Sequence, residues 1–290
     1  MLGKLIKHEW KSVYKVGSIL LLAMLAVTVI GCVVLQMPWL KDLFAGESNL
    51  GDVQEVILVF TLMISFMLYI FLLVGITYGI LIYLGVHFYK TMYTEQGYLT
   101  NTLPVTPHQL LISKTLVSGI WYVLIEVAVI VSIIALVCSF VAGLGTTEGY
   151  TLAEALEMIW SEFALVFESE FKGTMIHFMI YMVVAMLVSP FAAMLMIFGA
   201  LTIGQLSRKH KAAMGILAYF GISIVNMIIS MIISMVYSVS LVASSINDPY
   251  AVNEMDMMGI YDASMIIVIV MAVVLYFISH YILSKKLNME

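Results

Sequence analysis

The chain has 290 residues, of which 63% are hydrophobic and 11% charged, with a formal net charge of −5. Soluble domains carry about a quarter charged residues, so this composition, with a mean hydropathy of +1.08, excludes a soluble chain. The apolar runs are continuous and do not alternate, which indicates membrane-spanning helices and excludes a β-barrel.

In chain order, Met1 to Lys15 reads as an amphipathic helix. Leu2, Leu5, Ile6, Trp10, Val13 and Tyr14 recur at helical spacing, with Lys4, Lys7, Lys11 and Lys15 elsewhere around the wheel. Such a segment is expected in the headgroup plane, its Trp and Leu toward the membrane and its lysines toward anionic lipid. A secretory signal competes with this reading, since Val29-Ile30-Gly31-Cys32 resembles a lipoprotein cleavage box. Against it, the apolar run continues through Val33, Val34 and Leu35. From Gly17 to Met37 it is about 31 Å at 1.5 Å per residue, too long for a typical signal core. The remaining spans are expected over about 56–88, 115–140, 175–203, 212–242 and 263–283. Several exceed the roughly 20 residues a bilayer needs, so they must tilt, kink or project. Pro190 is the expected kink in span four, and Gly75 with Gly79 forms a GxxxG in span two that allows close helix contact. Cys32 and Cys138 both lie inside apolar runs, so neither a disulfide framework nor a zinc site is indicated.

Between spans two and three, Tyr89 to Lys114 is polar and punctuated. Glu95-Gln96-Gly97 breaks the preceding helix, and Leu99, Leu103 and Val105 give the middle an apolar side. Pro104 turns the chain, because it removes a donor and biases Leu103 away from the α region. Thr106-Pro107 then reads as an N-cap and first helical residue. A short loop with a greasy face and no catalytic chemistry suits docking into a groove on another protein. In span three, Glu126 sits near the midplane, where a lone charge costs roughly 2.5–3.5 kcal/mol on the lenient insertion scale. It is either a residue of a translocation path or a protonated group bonded to a neighbouring helix. Asn226 in span five, with Ser230, Ser234 and Ser238, offers partners or packing. The loop from Val141 to Thr174 carries its own helix: Thr151 with Glu154 makes a capping box, and Leu152, Leu156, Ile159, Trp160 and Phe163 follow at helical spacing. That helix is either a receptor surface for a cationic substrate or, by default, an interfacial helix with solvated carboxylates.

Orientation follows from the lysines and arginine. Lys4, Lys7, Lys11, Lys15, Lys90, Lys114, Arg208, Lys209, Lys211, Lys285 and Lys286 share one side, and only Lys41 and Lys172 fall on the other. The positive-inside rule therefore puts both termini and the 89–114 loop in the cytosol. No GxxxxGK[ST] occurs, His8-Glu9 does not continue into HExxH, and no histidines are spaced i,i+4 to hold a metal. No catalytic residue and no nucleic-acid partner are expected on this chain.

Glu95, Gly97, then Leu103-Pro104-Val105, then Ser113-Lys114 resemble the loop between the second and third transmembrane helices of ABC-2-type transporter permeases. The layout of the whole chain resembles that family as well. The resemblance implies an all-α membrane protein with six transmembrane helices over a single permease domain, residues 1–290. It has an N-terminal interfacial helix and a cytosolic coupling helix between spans two and three. It implies docking of a separate ATP-binding cassette subunit through Glu95, Gly97, Leu99, Leu103, Pro104 and Val105, with ATP and magnesium held by that partner. It also implies a second permease chain, like or unlike this one, and a multi-pass place among the lipids of a bacterial cell membrane. Glu126 and Asn226 are the candidates for a substrate path; the substrate expected is a peptide, lipid or drug, moved by export. A module for sensing, or immunity to, an antimicrobial peptide is the alternative on the same architecture, and an intramembrane hydrolase is the enzyme alternative.

Overall fold

The computed structural model describes residues 2–37, 51–94, 97, 105–148, 151–171, 175–247 and 255–285. These form seven helices, and among the described residues there is no strand: α1 Leu2–Leu35, α2 Asp52–Tyr93, α3 Pro107–Glu148, α4 Leu152–Phe171, α5 Met175–Gly204, α6 Lys211–Asn247 and α7 Met255–Lys285. All but α4 are long and apolar enough to cross a membrane, the make-up of a multi-pass membrane protein. At 42 residues each, α2 and α3 are about 63 Å long, about twice the hydrocarbon thickness.

The helix starts follow the expected local chemistry. Thr106 accepts the Leu110 amide on its carbonyl at 3.2 Å and the Gln109 amide on its hydroxyl at 3.3 Å, so α3 begins at Pro107. At α4 the Thr151 amide donates to the Glu154 carboxylate at 2.8 Å, and the Glu154 amide donates back to the Thr151 hydroxyl at 3.3 Å. The pair of bonds from Thr151, backbone first, holds the Glu154 carboxyl below the usual carboxylate range. Helix α5 runs unbroken through Pro190, whose missing N–H leaves the Met186 carbonyl without its helical donor.

Three expectations are corrected. Residues 1–15 are not a separate helix: α1 continues from Leu2 to Leu35, since nothing between Lys15 and Gly17 caps or breaks it. The apolar side of its first turns packs against protein. Val13 is buried, Leu2, Leu5, Ile6 and Trp10 are half-buried, and Lys4, Lys7, Lys11 and Lys15 are exposed. Finally, Gly75 and Gly79 make no close helix contact within the chain, since among the described residues a Cβ at either would meet nothing within 4 Å.

Two compact units divide the chain. Met1–Val13, Leu81–Val123 and Phe167–Glu290 form one, and Tyr14–Ile80 with Leu124–Val166 form the other. In the first, α5, α6 and α7 pack on one another, and Phe88 of α2 stacks on Phe198 of α5 with ring centroids 3.9 Å apart. The turn from α5 into α6 is tight enough that a Cβ on Gly204 would lie 2.4 Å from the Gly215 nitrogen. In the second unit the cross-helix bonds come from uncharged groups. Thr28 of α1 meets Ser132 of α3 at 2.5 Å, and Tyr69 of α2 bonds the same Ser132 hydroxyl. Farther along α1 and α3, Gln36 donates to the Ser139 carbonyl at 2.7 Å and Ser139 to the Cys32 carbonyl at 3.0 Å. Such polar rungs hold helices together where lipid removes the hydrophobic drive for association.

Candidate functional site

The site is built around the two ends of the 94–106 connection, within the first unit. On the first turns of α1, Leu2, Ile6 and Val13 recur on one stripe, and Glu9 falls among them at the same helical spacing. That register turns a carboxylate inward with the apolar side chains. It meets Lys114, in the second turn of α3, whose side chain is only 2% exposed. The Lys114 ammonium donates to the Glu9 carboxylate and, at 2.7 Å, to the Thr91 hydroxyl of α2. The Thr91 hydroxyl passes its own proton to the His87 carbonyl at 2.8 Å. The second Glu9 oxygen lies 3.1 Å from His87 Nε2, and the His87 ring stacks on Tyr83 with centroids 6.0 Å apart. Beside this net, Trp10 of α1 packs on Trp121 of α3 at 5.1 Å.

The chemistry explains why these residues occur together. A buried ammonium is tolerable only with a counter-charge and hydrogen bonds to its remaining protons. Glu9 supplies the charge and Thr91 the extra acceptor. One carboxylate on α1 thereby serves donors from two other helices, and removing it leaves Lys114 without a counter-charge and His87 without its ring partner.

Each end of the connection has a second anchor. The last turn of α2 is tied to α5 by the Tyr93 hydroxyl, 2.7 Å from that of Thr202. The first turn of α3 is tied to α7 through His108, which bonds the Tyr276 hydroxyl and sits edge-on to His280 at 6.0 Å. Just past α2, the Gly97 amide donates to the Thr94 carbonyl at 2.7 Å. A Cβ on Gly97 would lie 2.3 Å from the Met92 carbonyl oxygen, so only glycine fits this approach.

Of the residues expected to dock a partner, Gly97 is buried and Val105 half-buried beside the start of α3. Glu95, Leu99, Leu103 and Pro104 lie outside the described residues. Glu126 and Asn226 belong to different units. Glu126 is half-buried on α3, with no hydrogen-bond or ion-pair partner among the described residues. Asn226 of α6 keeps its carbonyl oxygen buried, again without a partner among those residues. Sequence reasoning placed Lys114 as a topological marker and as part of the Ser113-Lys114 motif, and missed its partners Glu9, His87 and Thr91. The available signal was Glu9 itself, a lone carboxylate on an otherwise apolar stripe of a basic segment. No family model, curated protein or solved structure matches the chain.

Proposed function

We propose that the chain is the membrane-spanning permease subunit of an ABC transporter, driven by a separate ATP-binding subunit that carries the ATP and magnesium. The observation that supports this best is the fastening of the 94–106 connection. Both of its ends leave helices that are cross-tied to α1, α5 and α7 through Glu9–Lys114, Tyr93–Thr202 and His108–Tyr276. Force applied at the described ends of the connection, Thr94 and Val105, passes into the helices that these bonds tie together. That is the property a docking knob needs if closure of a partner ATPase is to bias the spans between two states.

In this reading the Leu99, Leu103 and Val105 side of the connection seats in the ATPase, with Glu95, Gly97 and Pro104 setting its shape. In the same reading both termini lie on the basic side of the membrane, which the lysine and arginine distribution supports. Glu126 and Asn226 stand on the substrate path, and the cargo is a peptide, lipid or drug leaving the cell. A second permease chain completes the path. The test is copurification. Leu103→Asp abolishes recovery of the ATP-binding subunit while membrane insertion is unchanged, and undiminished recovery rejects the docking role.

A further inference from the structure

Helix α4 is strongly two-sided and too polar to cross a membrane. Ala155 is buried and Leu156 half-buried, whereas Ile159 is 47% and Trp160 53% exposed. Phe163 and Val166 continue the same apolar side, the Phe163 ring lying 5.9 Å from that of Trp160. Glu154, Glu157 and Ser161 stand exposed on the opposite side, where Met158 and Leu165 are the apolar exceptions, and exposed Glu162 marks the edge of the apolar side beside Ala155. Water does not stabilise an apolar stripe of this size, and at about 25 cal/mol per Å² its burial is worth several kcal/mol.

The position of α4 in the chain indicates what covers the stripe. Only residues 172–174 separate its last residue, Phe171, from Met175, where α5 begins. That connection reaches at most about 14 Å. Helix α5 is apolar enough to cross a membrane, and Ile176 in its first turn is already 72% exposed. Lipid that covers Ile176 therefore lies within that reach of Phe171, the C-terminal end of α4.

We propose that α4 lies in the lipid–water interface, with Ile159, Trp160, Phe163 and Val166 sunk into the boundary between headgroups and acyl chains and with Glu154, Glu157 and Ser161 in water. Helices of this kind bury their apolar side about 5–10 Å into that boundary, and an indole with one polar edge suits the position. The bilayer is the occupant because the chain itself brings it there, whereas a second copy or a cationic peptide would have to arrive. The inference is independent of the permease reading.

The first test labels single cysteines in vesicles with a membrane-impermeant maleimide, in a background carrying Cys32→Ala and Cys138→Ala. Ile159→Cys and Phe163→Cys react about tenfold more slowly than Glu157→Cys and Ser161→Cys, as burial of one side requires. The second uses the otherwise unaltered chain in vesicles of brominated lipid. Trp160 fluorescence, taken as the difference between the parent and Trp160→Phe, is quenched. Equal labelling on both sides or an unquenched Trp160 overturns the proposal. So does crosslinking of Phe163→Cys between two copies, or protection that develops only when a cationic amphipathic peptide is added.

Discussion

Two polar clusters tie α1, α2 and α3 together, one in each unit, and they do so by opposite means. In the first unit a carboxylate, an ammonium, an imidazole and a hydroxyl meet at Glu9, Lys114, His87 and Thr91. In the second the contact is all hydroxyl: Tyr69 to Ser132 to Thr28. The Thr28 proton is directed at the Met24 carbonyl at 2.8 Å. The protons therefore run one way, Tyr69 donating to Ser132, Ser132 to Thr28 and Thr28 to the backbone. A chain of hydroxyls can lose one link and leave the others neutral. A charge net cannot, because each surviving charge is stranded in a medium that stabilises it poorly.

The comparison is broken most severely at Glu9. Glu9→Ala leaves the Lys114 ammonium, 2% exposed, without a counter-charge, and the expected loss is roughly 3–5 kcal/mol. Thermal unfolding of the purified chain in detergent reads it. The double variant Glu9→Leu with Lys114→Met recovers most of that loss, because no ammonium is left buried and only the His87 and Thr91 contacts are given up. If the double variant is as unstable as the single one, charge pairing is not what holds these helices.

Gly97→Ala follows in size. The added methyl lies within 2.3 Å of the Met92 carbonyl oxygen, a backbone atom that cannot swing away, so the connection must shift. Overpacking of this kind costs about 1–3 kcal/mol. The loss is local, and limited proteolysis of the 94–106 connection reports it as faster cleavage while the six long helices stay protected. Unchanged cleavage means that the connection does not depend on this approach.

How much of this was legible follows from the physics of each residue. Continuous apolar runs give the six long helices directly, and Thr106-Pro107 and Thr151 with Glu154 give two helix starts, since a cap needs only residues three or four apart. The unbroken α1 was not legible: Lys15 and Gly17 mark a change of surroundings, and a helix does not stop where its surroundings change. The charge net was harder still. Glu9, His87 and Lys114 are far apart in sequence, and a lysine near the end of a span normally reaches for water or headgroups. Here Glu9 turns inward with Leu2, Ile6 and Val13, and only the folded arrangement of three helices shows Lys114 reaching it. Gly75 and Gly79 erred the other way, since a GxxxG permits a close approach without supplying the helix that makes it.

On the hydroxyl side the expected effect is smaller. Ser132→Ala removes bonds to both Thr28 and Tyr69, and at about 0.6 kcal/mol each for interhelical bonds in membranes the loss is about 1 kcal/mol. Most of it falls on Tyr69, because Thr28 keeps the Met24 carbonyl. Adding Tyr69→Phe to Ser132→Ala therefore costs little more, and a double-mutant cycle by unfolding checks this. A loss comparable to that of Glu9→Ala would erase the distinction between the two clusters.

The smallest effect is at Glu154, where a charge acts in full contact with water. Its carboxyl titrates below the usual range because the ionised form accepts the Thr151 amide and hydroxyl, each at 2.8 Å. A depressed folded-state value means that the bond contributes above the unfolded value and is lost as pH falls through the folded one. Amide exchange in the first turn of α4, corrected for its intrinsic pH dependence, should therefore lose protection only at the acid end of a titration. Glu154→Gln keeps a weaker reciprocal cap and flattens that titration, and Glu154→Ala removes the protection at every pH. The rest of α4 stays protected in all three, because its backbone bonds are made within the helix and do not involve the cap. If exchange spreads along the whole helix when Glu154 protonates, the cap governs more of α4 than its own first turn.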